Sequence, residues 1–346
     1  MGTVTAGRPD GETCAGKQPV VGAGVALQAH SPPAENQTYS HAAHTPALMM
    51  RNAYRRLYAL WMREGTGGII RHALRRPSLR QRFAARHAPK LGPGLEIGPS
   101  HSPLAPKAKG FNVEILDHAT APDLRTKYRN AGVNIDHIED VDFVWRGEPL
   151  PETIDRRGCY DWIIASHVIE HTPDLAGFLV DCQALLHKTG RLILVIPDKR
   201  YCFDHFQNLT STGDVLDAHQ LGRTRPSPGR IFDHYANAVS KGRSGTLSWH
   251  RHAPGALQLV HALDDARGAW RNAQTDDAYV DVHNWRFTPA SFRLVIDDLR
   301  ELGLLELGIT DGPTGAAGEF CACLQRIPLQ PRNRMAGLVA IDKAKR

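Results

Sequence analysis

The chain has 346 residues, 42% of them hydrophobic and 23% charged, with a formal net charge of +6. That composition fits a globular protein with a substantial core, and no run of roughly eighteen apolar residues exists to cross a membrane. The opening residues carry no apolar leader segment, and six cysteines (Cys14, Cys159, Cys182, Cys202, Cys321, Cys323) lack CxxC or framework spacing, so reduced thiols in a cytoplasmic protein are expected. Eleven Lys/Arg against the single acid Glu64 fall within residues 51–90. Basicity therefore belongs to one segment and not to the body of the chain, which argues against a general nucleic-acid-binding domain.

Residues 1–45 are rich in Gly, Ala, Pro, Thr and His and hold one aromatic, Tyr39, so they are expected to be a disordered tail. Residues 46–90 form a basic helical segment. Thr45-Pro46 supplies a helix start, and Tyr54, Leu57, Tyr58 and Trp61 recur at helical spacing with Arg51, Arg55, Arg56 and Arg63 on other faces. A second, shorter helix is read from Ile69 to Phe83. The segment is either a helical cap packed on the main domain or a basic helix making peripheral contact with an anionic membrane or nucleic acid.

From Leu91 short apolar runs alternate with helical stretches. Leu95–Ile97, Val113–Leu116, Ile135–Ile138, Trp162–Ala165 and Leu192–Ile196 read as buried parallel strands, with a helix over Leu175–Leu186. A long stretch rich in His, Arg, Pro and Gly lies beyond Pro197. Pro289–Leu302 then reads as a helix, and Leu304–Ile309 and Phe320–Leu324 as closing strands. The expected fold class is α/β: a Rossmann-like, seven-stranded, mostly parallel sheet with an antiparallel edge strand, an N-terminal helical cap and a long insertion (205–286) after the fifth strand. The main domain spans 91–327, and 328–346 is a C-terminal tail.

Three features at strand ends point to a bound adenosine. Gly94-Leu95-Glu96-Ile97-Gly98-Pro99-Ser100 puts an acid and a glycine turn at the tip of the first strand, where open α/β sheets bind ligands. Asp117 ends the second strand and can accept both hydroxyls of a ribose. Asp140-Val141-Asp142 is read as closing the third strand, where an acid can accept from an adenine amino group. Ser100 and Ser102 stand where a dinucleotide fingerprint has glycines, which disfavours pyrophosphate and hence a plain dehydrogenase.

Leu95-Glu96-Ile97-Gly98, Asp117 and Tyr160-Asp161-Trp162-Ile163-Ile164-Ala165-Ser166-His167-Val168-Ile169-Glu170-His171 resemble the successive motifs of class I S-adenosylmethionine (SAM)-dependent methyltransferases. Within that superfamily the chain is similar to the UbiE-like, or methyltransferase-11, group, whose K-P-G-G turn is matched by Lys188-Thr189-Gly190-Arg191. The resemblance runs in order over 91–200 and extends to about 327. It implies SAM as cofactor, with Glu96, Gly98 and Ser100 lining the methionine part, Asp117 the ribose and Asp140, Val141 and Asp142 the adenine, and with Ser166 beside them.

His167-Val168-Ile169-Glu170-His171 is literally H-x-x-E-H, but it comes directly after a strand, so zinc peptidase chemistry is not expected. No metal is expected in the insertion either, because the adjacent Asp/His pairs Asp204-His205 and Asp233-His234 converge poorly on one ion. Methyl transfer needs alignment and water exclusion, and a base only if the acceptor is protonated. The catalytic candidates are His167, His171, Asp198 and Tyr201. Lys199, Arg200, Asp204, His205, Arg223 and Arg225 are the candidates for substrate binding, the arginines suiting an anionic acceptor such as a glycan precursor or other small molecule. Two alternatives remain open: a catalytically silent SAM-binding partner protein, and a nucleic-acid methyltransferase recruited by the basic helix. Nucleic acid is disfavoured because Ile196-Pro197-Asp198-Lys199 replaces the Asn/Asp-Pro-Pro-aromatic signature of enzymes that methylate base amino groups.

Overall fold

The computed structural model describes residues 77–344 apart from 244 and 317. The tail expected over 1–45 and the amphipathic helix carrying Tyr54, Leu57, Tyr58 and Trp61 lie outside the described residues. The end of the basic segment lies within them, as α1 (Leu79–His87), opened by a capping box between Ser78 and Gln81. Phe83 and Ala84 bury one face of α1 against Val113, Ile115, Trp162, Ile193 and Val195, so this part is a cap on the sheet.

The first half alternates strand and helix: β1 (Gly94–Ile97), β2 (Val113–Asp117), α2 (Ala121–Tyr128), β3 (Phe143–Val144), α3 (Leu150–Ile154), β4 (Tyr160–Ser166), α4 (Leu175–Leu185) and β5 (Leu186–Pro197). The insertion is built of α5 (Thr212–Gln220), α6 (Pro228–Asn237), a hairpin of β6 (Val239–Lys241) and β7 (Leu257–Leu259), and α7 (Leu263–Thr275). The chain returns through α8 (Pro289–Glu301), β8 (Leu307–Ala316) and β9 (Glu319–Arg326). The expected C-terminal tail contains a further helix, α9 (Arg334–Ala344), tied to α8 where Arg332 and Arg334 both reach Asp298.

The seven-stranded sheet has the order β3-β2-β1-β4-β5-β9-β8. β1 to β5 pair in parallel, while β9 runs antiparallel to both β5 and β8. This is the expected doubly wound sheet, with its antiparallel pairing confined to the end beyond β5. Leu95, Ile163, Leu194 and Ala322 pack one face against α4 and α8, and Ile115, Trp162, Ile193 and Cys321 pack the other against α1. Burial on both faces is why β1 and β4 read as continuous apolar runs.

One strand differs from the expectation. Ile135–His137 is a single 3-10 turn capped by Asn134, and the third strand is the two residues Phe143–Val144. The carboxylate of Asp142 accepts from Ile115 N–H at 2.7 Å, and Asp142 N–H donates to Ile115 O at 2.9 Å. Pairing with β2 is thus displaced several residues down the chain from the apolar pattern.

Candidate functional site

The strand order reverses between β1 and β4, which opens a crevice at the carboxyl ends of the parallel strands. Gly98 makes the turn out of β1 with φ +63°, and a Cβ there would stand 2.9 Å from Val168 Cγ2. Ser100, with φ +45°, donates its N–H to Asp117 Oδ2 at 2.9 Å. The other oxygen of Asp117 accepts from His118 N–H at 2.8 Å and lies 2.7 Å from His118 Nδ1. The glycine turn and the acid at the tip of β2 are therefore one assembly, as the spacing anticipated.

Glu96 has a different place from the one the resemblance implies. It is fully buried, and its two oxygens accept from Leu104 N–H at 2.7 Å and Ala105 N–H at 3.0 Å, beneath the loop just past the turn. Burial pushes its carboxyl up to about 7, helped by the charges of Glu139 and Asp117 and opposed by the two N–H groups. Glu96 thus props the loop from below.

Asp140, Val141 and Asp142 precede β3 and so stand at the wrong end of it for an adenine. Asp142 is held by Ile115 N–H and by Lys107 Nζ at 2.9 Å. Asp140 is exposed beside Arg125, and Val141 packs into the small core of α2. The residue at the carboxyl tip of β3 is Trp145, whose N–H donates to Asp117 O at 2.9 Å and whose indole is fixed by Glu148 O. Sequence reading missed it because the strand was placed too early.

Ser166, half-buried, ends β4 opposite Val195. His167 comes next in a left-handed conformation, φ +54°, and Ile169–His171 form a 3-10 turn. His167 Nε2 lies 2.9 Å from Glu319 Oε2 and its Nδ1 lies 3.4 Å from Glu170 Oε1. Burial disfavours its charge, but the two carboxylates outweigh it and push the imidazole up to about 9. The raised pKa favours the protonated ring, which counts against His167 as a general base. His171 Nδ1 lies 2.7 Å from Asp281 Oδ1, and its pKa too is raised, the Asp281 and Glu170 charges outweighing burial.

Most groups of the expected acceptor loop are already engaged. Asp198 is gripped by Arg200, with Nε to Oδ1 at 2.9 Å and Nη2 to Oδ2 at 2.6 Å, and is buried, which removes it as a base. Tyr201 packs against the Arg200 guanidinium. Lys199 Nζ donates to His205 O at 2.7 Å, and His205 Nδ1 lies 2.7 Å from Arg200 O. The expected arginine clamp does not form: Arg225 is bound to Asp276 O and Asp277, and Arg223 is half-buried at the end of α5.

The groups that do converge were only partly legible. Ligand atoms of Glu170, His171 and His283 lie within 4.8 Å of one another. Glu170 is 1% exposed, and neither of its oxygens receives a well-directed hydrogen bond. Although burial raises its pKa, the neighbouring His167, His171 and His283 lower it further, so it is held as the carboxylate. Asp204, expected to touch substrate, is buried and instead lies 2.5 Å through Oδ2 from His283 Nδ1. His283 was not singled out, since nothing in its local sequence marks it. The segment bearing it is stitched to the β4 turn: Asn284 N–H donates to Glu170 O at 2.6 Å, Asn284 Nδ2 to His171 O at 3.0 Å, and Trp285 Nε1 to Thr172 O at 2.6 Å. Separately, a groove of about 660 Å³ opens between α6 and α7, lined by Arg230, Phe232, Arg267 and Trp270 and by none of the strand-tip residues.

A family model described as a methyltransferase domain matches residues 69–262. No curated protein matches the chain. Among solved structures, a protein described as a zinc-dependent alcohol dehydrogenase from Rhodobacter sphaeroides is 13% identical with TM-score 0.37, covering 73% of this chain and 91% of its own. The glycopeptide N-methyltransferase MtfA complexed with sinefungin is 13% identical with TM-score 0.36, covering 72% and 92%. The DhpI complex with SAH is 12% identical with TM-score 0.35, covering 82% and 99%. Structural likenesses this distant carry no functional argument.

Proposed function

The chain belongs to the methyltransferase-domain family, and from that premise we propose that it transfers a methyl group from SAM to a small-molecule or glycan-precursor acceptor. The observation that carries the reading is the buried carboxylate of Asp117 fastened to the glycine turn through Ser100 N–H at 2.9 Å. The residues fit the donor. Each Asp117 oxygen holds a backbone N–H, and its second contact is a side chain, the Ser100 hydroxyl at 3.4 Å or the His118 ring at 2.7 Å, which a ribose hydroxyl would have to displace. Gly98 leaves open a space that a Cβ would fill against Val168.

When bound, SAM supplies an activated methyl on a sulfonium. Asp117 would hold its ribose, the indole of Trp145 would stand beside the adenine, and Gly98 and Ser100 would bring backbone against the methionine part. The chain's remaining work is to align an acceptor and exclude water. Glu170, His171 and His283, at the tip of β4, are the groups that face that task. The insertion closes over them through Asn284 and Trp285.

Arg225 is engaged by Asp276 O and Asp277, so an anionic acceptor draws no support from it. Membrane or nucleic-acid recruitment by the basic helix concerns residues outside those described. Isothermal calorimetry with SAM and its demethylated product, comparing the wild type with Asp117→Ala, tests the assignment. Saturable binding lost in the variant is expected, and wild-type protein that binds neither compound would overturn it.

A further inference from the structure

H-x-x-E-H pairs His167 with His171 on paper, but the fold breaks that pair and makes another. His167 turns to Glu319. His171 meets His283 from the far end of the insertion, their ring centroids 4.7 Å apart and edge to face. Between them lies Glu170, buried and lacking well-directed donors.

We propose that Glu170, His171 and His283 form a binding site for a divalent transition-metal ion. The orientation of both imidazoles supports this. His283 turns Nδ1 toward Asp204 Oδ2 at 2.5 Å, and His171 Nδ1 lies 2.7 Å from Asp281 Oδ1 as an ion-pair contact without a well-directed hydrogen bond. Each ring therefore keeps Nε2 for a ligand, and His171 Nε2 stands 4.0 Å from Glu170 Oε1. A carboxylate behind each coordinating histidine is the usual arrangement at metal centres, where it fixes the tautomer and raises ligand basicity. Asp204 is itself held by Gln207 Nε2 at 2.9 Å. Two imidazoles and one carboxylate suit zinc, iron or another first-row ion, and they leave coordination positions open.

The nearest positive group to Glu170 is the His167 ring, its Nδ1 at 3.4 Å and poorly directed; a buried carboxylate so loosely compensated is costly, and a cation among these three ligand atoms would satisfy it. The site deepens the methyltransferase reading and its role rests on it: an open position at the β4 tip would take an acceptor oxygen and orient it. Metal binding itself can be tested without turnover.

The full chain, stripped with chelator and dialysed, is titrated with Co²⁺ while its visible absorption is followed, and Zn²⁺ is then used to displace the cobalt. One equivalent with a low-symmetry d–d spectrum, lost in Glu170→Gln and in His283→Ala, is expected. Asp204→Asn should weaken binding by about 10- to 100-fold without abolishing it. Circular dichroism confirms that each variant is folded, and Glu170→Gln keeps the test decisive if His283→Ala is not. Absence of stoichiometric binding, or binding unchanged in Glu170→Gln, overturns the site. SAM calorimetry on the same samples separates the two ideas: SAM bound without metal refutes the metal site alone, and metal bound without SAM refutes the methyltransferase reading alone.

Discussion

Replacing Glu96 by glutamine tests how the floor of the glycine turn is held. The side chain is fully buried and its carboxyl is pushed from 4.5 up to about 7, burial outweighing the N–H groups of Leu104 and Ala105. Because the folded pKa is the higher one, the folded chain holds this proton more tightly than the unfolded chain does. The resulting stabilisation is complete below about pH 4.5. It declines as the unfolded carboxyl ionises first and is gone once pH passes about 7. The gap corresponds to about 3 kcal/mol. Glutamine cannot titrate, and it offers one acceptor oxygen to two N–H groups, so it adds a cost that does not vary with pH. Urea unfolding of both proteins from pH 5 to 8 should therefore show the wild type losing ground to Glu96→Gln by about 2–3 kcal/mol, mostly below pH 7. A difference that stays constant across that range would refute the reasoning.

Gly98→Ala places a Cβ in a left-handed turn and 2.9 Å from Val168 Cγ2; a loss of about 1–3 kcal/mol in stability and weaker SAM binding are expected, by thermal unfolding and calorimetry. Phe83→Ala should lower the unfolding free energy by about 3 kcal/mol in urea, since Phe83 is the main anchor of α1 on the sheet. Trp285→Phe removes the buried hydrogen bond to Thr172 O; about 1 kcal/mol should be lost, with faster amide hydrogen exchange at Asn284 and Trp285 than in the wild type.

Strands β1, β2, β4 and β5 were legible because each is an apolar run buried on both faces. Asp117 was legible because a ligand-gripping acid must end the strand beside the glycine turn. β3 was not: its pairing is made by two residues and by the side chain of Asp142, whereas the apolar alternation at Ile135 and Ile138 belongs to a 3-10 turn and the small core around α2. That shift carried Asp140–Asp142 to the wrong end of the strand and hid Trp145. The chemistry at the β4 tip was half visible. Glu170 and His171 stood in a motif, but His283 lies 112 positions beyond His171, and only the closing of the insertion brings the two rings together. Asp198 and Arg200 misled for a related reason, since two polar residues at a promising address turned out to satisfy each other.

The hydrogen bonds from Asn284 and Trp285 to the β4 turn act as a clasp. With the departing and returning ends of the insertion both pinned near the sheet, α6, the β6–β7 hairpin and α7 are held at their two chain connections, and Trp249 adds a third point of attachment through its backbone N–H to Tyr201 O.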